Sequence, residues 1–155
     1  MENQERNRWI FEQACAFADL ALLTETENVE FKNRTYSHTY TGISLSAFAI
    51  ELFLKCLISS MGDEYAKTHS LKHLWNKYYS LDYQNAEIIK NQICADGNYF
   101  NDRLSEIDNA FDDWRYIFES RNDPLKINRD FLSNLREILR ETCNQELFQK
   151  ISRNI

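Results

Sequence analysis

An all-α fold is what this sequence predicts, and three observations carry that reading. Apolar residues recur at helical rather than strand spacing along most of the chain. Only three Gly and one Pro are available to turn it, too few for a many-stranded sheet. The 43% hydrophobic content, with three Trp, eight Tyr and ten Phe, is ample core material for helices that each bury one face. The expected architecture is a single domain over residues 1–155: an antiparallel bundle of four long helices with one or two short ones.

The elements follow in order. From Trp9 to Leu23, Ile10, Ala14, Phe17 and Ala21 mark one face of a first helix. The pattern fades into polar residues between Asn28 and Tyr40. The run "GISLSAFAIELFLKCLI", Gly42 to Ile58, then predicts a helix buried on most sides and too short to span a bilayer. "MGDEY" ends it. Thr68 or Ser70 caps a short helix that turns Leu71, Leu74, Trp75 and Tyr78 inward. A further helix carries Ala86, Ile89 and Ile93, and "ADGN" interrupts the chain. Phe100, Leu104, Ile107, Phe111, Trp114 and Phe118 form the next stripe. It is followed by "RNDP", where Asp123 caps and Pro124 opens the last helix, with Phe131, Leu135, Ile138, Phe148 and Ile151 inward.

The opening residues MENQERNR are polar and lead into no signal-like apolar run, so a soluble cytoplasmic protein without membrane contact is expected. Cys15, Cys56, Cys94 and Cys143 are spaced about forty residues apart, which suits reduced core thiols better than a thiolate metal site or a disulfide framework. A formal charge of -6 means that nucleic acid would have to meet a local basic surface. Gly-rich phosphate loops, Walker motifs and zinc-finger spacings are absent, and no cofactor or metal is expected.

Four constellations could carry chemistry. In "AIELFLKCLI", Glu51 and Lys55 are the only charges, one turn apart on one face, and a carboxylate so placed requires a further partner from another helix. In "THSLKHLW", His69 and His73 are four apart; that spacing alone makes no zinc site, and His69 is the better general base. In "RYIFESRND", Arg115 has Asp112 and Glu119 within pairing distance, yet lies beside the stripe through Trp114 and Phe118, from which it could reach Glu51. Arg121 and Asn122 occupy the turn. Lastly, Lys126, Arg129, Arg136 and Arg140 project from one side of the last helix, as a solvated face or a ridge that contacts RNA phosphates.

Taken together, "IELFLK", "THSLKHL" and "RYIFE" resemble the HEPN superfamily of small prokaryotic helical bundles, in the order and spacing of elements from about Phe17 to Phe148. The resemblance implies a homodimer from a toxin-antitoxin, antiphage or other stress system, with Glu51, Lys55, Tyr116 and Glu119 as its structural polar core. It also implies RNA, a cognate antitoxin or a nucleotidyltransferase as partner. Many members are metal-independent ribonucleases that use an Arg and, shortly after it, a His. Arg121 with Asn122 matches the start of that motif, but the positions where the His would fall hold Lys126, Ile127 and Asn128. The chain is then either a non-catalytic relative or a nuclease that uses His69 with Arg121 or Arg115.

Overall fold

A computed structural model of the chain describes residues 2–25, 29–36, 39–94, 97–108 and 127–149; of residues 29, 35, 36, 97 and 98 it describes the backbone alone. The elements are α1 (Glu2–Thr24), a hairpin of β1 (Val29–Phe31) and β2 (Arg34–Tyr36), α2 (Thr39–Ser60), α3 (Leu71–Leu81), α4 (Tyr83–Ile93), α5 (Gly97–Ile107) and α6 (Arg129–Asn144), which widens into a π-helical turn at Gln145–Gln149. The fold is all-α in class.

The centre of the molecule is α2, which packs against α1, α3 and α6. Ile43, Ala47, Ile50, Phe53, Leu54 and Leu57 are buried on it, so it is apolar nearly all round, as a core helix must be. It runs 22 residues, five more than the apolar run suggested, so length alone does not exclude a membrane span. Its most apolar window is nevertheless 67% buried within the chain. Gly62 ends the helix at φ 78, a left-handed conformation that suits glycine, with Asp63 N–H donating to Ile58 O and Gly62 N–H to Ser59 O.

The direction of the neighbouring helices is set by a few polar contacts. Arg6 Nη2 donates to Ser59 Oγ at 3.2 Å and the Cys56 thiol to Asn7 O at 3.5 Å, so α1 runs antiparallel to α2. Arg136 Nη1 donates to Ser46 Oγ and the Cys143 thiol to Phe53 O, so α6 runs parallel to α2. The seam between α1 and α2 is lined by Ala14, Ala18, Ala21 and Ala47, all fully buried, which lets the two backbones approach closely. At one end the approach is closest: a Cβ on Gly42 would lie 2.1 Å from Thr24 Oγ1.

The smaller helices close the other side. Ser70 caps α3 by accepting from His73 N–H, and Leu71, Leu74, Trp75 and Tyr78 turn inward as their spacing predicts. Phe100 of α5 is wedged between Trp75 and Phe131, with ring centroids 4.8 and 5.4 Å away. The four cysteines are free; Cys56 and Cys143 are buried, and burial pushes the Cys143 thiol well up.

Four expectations change. The polar stretch after α1 holds the hairpin, whose turn puts Lys32 and Asn33 both at positive φ, the type I′ geometry that matches strand twist. The described part of the last helix is capped by Asn128, whose Oδ1 accepts from Phe131 N–H; Asp123 and Pro124 lie outside the described residues, as do Phe111, Trp114, Phe118 and Ile151. Phe148 is not inward but at the rim, edge-on to Phe11 and under the Arg8 guanidinium, because the π-helical turn breaks the register of α6. Finally, "ADGN" interrupts the chain only in part, since Gly97 already belongs to α5.

The close contact at Gly42 makes a prediction. Gly42→Ala should destabilise the protein by about 1–3 kcal/mol, as overpacking does, despite the roughly 1 kcal/mol that alanine gains over glycine in a helix. Thr24→Ala in the same chain should recover most of the loss in a urea titration. Equal midpoints for the wild type and Gly42→Ala would show that the seam is looser than described.

Candidate functional site

The site begins with a charge that the fold has to satisfy. Glu51 lies in the middle of α2 and is 1% exposed. A carboxylate taken this far out of water costs several kcal/mol unless both oxygens find charged or hydrogen-bonding partners. Lys55, one turn further along α2, donates from Nζ to Oε1 at 2.6 Å. His69 approaches from the segment between α2 and α3 and places Nδ1 2.9 Å from Oε2. The second partner is therefore His69, from the segment ahead of α3 and not from another helix as the sequence suggested. The Lys55 side chain, 14% exposed, also rests over the Tyr65 ring at 5.6 Å, a cation–π contact that holds its stem in place.

This arrangement decides the chemistry of the imidazole. An ionised carboxylate only accepts hydrogen bonds, so Nδ1 must carry the proton that points at Glu51. In the neutral ring the lone pair then sits on Nε2, the atom that can take a proton from a substrate hydroxyl. The His69 side chain is 46% exposed, so the pair spans the distance from the core to solvent.

The backbone around His69 is held from both sides. Of the two caps that the sequence offered, Ser70 is the one that acts, and Thr68 Oγ1 holds it by accepting from Ser70 N–H at 3.0 Å. Ser70 Oγ donates to Asp108 Oδ1 at 2.8 Å, and the same oxygen accepts from Lys72 N–H at 3.0 Å. Asp108, at the end of α5, thus anchors the start of α3 beside His69. Sequence reasoning passed over it because nothing in its own neighbourhood marks it.

Several sequence-predicted residues fall elsewhere. His73 is exposed and does not share a helical face with His69, since His69 precedes the cap rather than lying within α3. Among the described residues no group of three His, Cys, Asp or Glu could hold a metal ion. Arg115, Tyr116, Glu119, Arg121, Asn122 and Lys126 lie outside the described residues.

The basic row on the last helix is not the exposed ridge that its spacing suggested. Arg129 is exposed, but Arg136 is 1% exposed. Its Nη1 donates to Glu25 Oε1 at 2.9 Å and Ser46 Oγ at 2.8 Å, and its Nε to Glu137 Oε1 at 2.9 Å. Arg140 is bound to Asp19 at 2.8 Å and Glu137 at 3.4 Å. Both guanidinium groups are held by carboxylates instead of being presented to phosphate. At Glu25, burial works to raise the carboxyl, but the hydrogen bonds from Ser133 and Arg136 outweigh it and hold the group below its ordinary value.

The larger cavity, about 490 Å³, is separate from this site and lies between α4 and α6. Its lining has no His, Cys or Lys, so the Glu51–His69 pair is the better candidate for chemistry.

Two predictions follow from these charges. Arg136→Ala should cost about 1–3 kcal/mol of stability, because it takes the donor from buried Ser46 Oγ and from the part-exposed carboxylates of Glu25 and Glu137; a loss of RNA affinity with the melting temperature unchanged would contradict the buried placement. Glu51→Gln should release the Nδ1 proton, seen as a shift of His69 towards the Nε2–H tautomer in nitrogen-correlated NMR, while Glu64→Gln leaves the tautomer as it is. No family model, curated protein or solved structure matches the chain.

Proposed function

We propose that the chain is a HEPN-like helical module that works as a homodimer in a bacterial stress, toxin-antitoxin or defence system and binds a protein partner or RNA. The observation that carries this reading is the meeting of Lys55, Glu51 and His69. Those residues come from "IELFLK" and "THSLKHL", two of the three segments on which the resemblance rests. A cognate antitoxin or nucleotidyltransferase fits the partner role better than RNA, since Arg136 and Arg140 are already held by carboxylates.

The Glu51–His69 hydrogen bond favours a second reading, a metal-independent endoribonuclease. His69 Nε2 would take the proton of an RNA 2′-hydroxyl, whose oxygen attacks the adjacent phosphorus. The bond from phosphorus to the 5′-oxygen breaks, that oxygen is protonated, and a cyclic phosphate remains. Arg121 or Arg115 would carry the charge that gathers on the phosphoryl oxygens.

One experiment separates the two. End-labelled structured RNA is incubated in EDTA with the wild type, His69→Ala and Arg121→Ala, and light scattering is recorded on the same samples. Cleavage that His69→Ala lowers by about 10²–10⁴-fold supports the nuclease. Intact RNA with a dimeric protein supports the binding module, and a monomer at micromolar concentration counts against the module itself.

A further inference from the structure

The groove between α4 and α6 is unrelated to the Glu51–His69 site and has a chemistry of its own. Asn85, Ile88, Ile89 and Gln92 line it from α4, at spacings of three, one and three, which is one helix face. Opposite them, α6 and its π-helical turn supply residues from Glu137 to Gln149. Those stretches cover roughly two turns of α4 and three of α6, about 10 and 18 Å at the helical rise, so the groove is elongated. Its floor is apolar: Ile89 is buried, Ile138 half-buried, and Ile88 is 53% exposed.

Its rim is acidic. Among the described residues Glu137, Glu141 and Glu146 line it, and no Lys or Arg does. Arg136 and Arg140 lie behind Glu137, but Glu25 and Asp19 share them, so they leave the rim negative.

We propose that this groove receives an amphipathic helix from a protein partner, one with an apolar seam flanked by Lys and Arg. Two parallel ridges enclosing an apolar floor are what a third helix packs into. The acidic rim selects the sign of its flanks and steers its approach. A second copy of this chain fits poorly, because a two-fold contact would set the same acidic rim against itself, and RNA is repelled for the same reason. A small cation would leave the exposed side chain of Ile88 uncovered. The proposal does not depend on what His69 does.

The test uses the whole chain and a fluorescein-labelled synthetic peptide made only of leucine and lysine in helical register. Anisotropy should show micromolar binding to the wild type. Ile88→Asp and Glu141→Lys, both at exposed positions that leave the fold intact by circular dichroism, should each weaken it at least ~10-fold. Glu30→Lys on the hairpin, an equal charge change away from the groove, should leave it within twofold, and a leucine–glutamate peptide should not bind. The proposal is overturned if the wild type does not bind, if Glu30→Lys weakens binding as much as Glu141→Lys, or if Ile88→Asp has no effect. A dimer that Ile88→Asp dissolves would likewise overturn it and assign the groove to a second copy. None of these readouts touches Glu51 or His69, so this failure and a failure of the RNA experiment are distinguishable.

Discussion

A single carboxylate in the middle of an apolar helix constrains much of this protein. Glu51 is 1% exposed in α2, the helix around which the others pack. Its charge must be matched where it stands, and one partner on the same helix leaves the second oxygen unsatisfied. The remaining hydrogen bond has to come from another part of the chain. It comes from His69, which ties the segment after α2 back onto the helix it has just left. That tie, together with Asp108 holding Ser70 and Lys72, fixes where α3 begins. The apolar residues of α3 could pack in more than one rotation about the helix axis. The hydrogen bond removes that freedom.

Arg136 plays the corresponding part at the other end of the molecule. It joins the end of α1, through Glu25, to α2, through Ser46, and to its own helix, through Glu137. The α1–α2 seam of alanines and Gly42 gives close packing but little directional information, because small apolar side chains tolerate sliding. Charges at defined positions supply register that the alanines do not. The ion pair between Arg140 and Asp19 lies one turn further along α6 and opposes any shift of α6 past α1.

The sequence disclosed its helices well, because α1, α3, α5 and α6 each carry a 3.6-residue stripe and α2 a continuous apolar run that tertiary contacts then used. It disclosed less where the signal was short or lay in space rather than along the chain. The hairpin rests on two three-residue strands and a Lys-Asn turn, and neither departs enough from loop composition to stand out. Arg136 was grouped with Arg129 by a spacing of seven, which correctly places both on one side of the helix. That side is covered at Arg136 and open at Arg129. A signal did exist: Arg136 falls in the row Leu132, Leu139 and Cys143, all buried, where a lone cation marks an interior site. The need of Glu51 for a second partner was legible from burial alone, but its identity was not. The sequence points to Arg115 as the group that could reach Glu51 and to His69 only as a general base; the 2.9 Å contact makes His69 a partner, and Asp108 has no local feature to announce it.

The two buried charges differ in a way that bears on function. Arg136 is 1% exposed and held by groups on regular helices and their ends, so it can do little besides hold. Glu51 is bound instead to an imidazole that is 46% exposed and that stands just ahead of the cap of α3. An ion pair kept only for rigidity gains nothing from an exposed, titratable partner, because water competes for the hydrogen bond and the ring can change its charge. The same partner is well suited to couple a buried carboxylate to a molecule at the surface. The interior then holds Nδ1 of the imidazole against Glu51 while the side chain stays 46% exposed. That asymmetry, more than burial or charge alone, is the reason to look for function at His69.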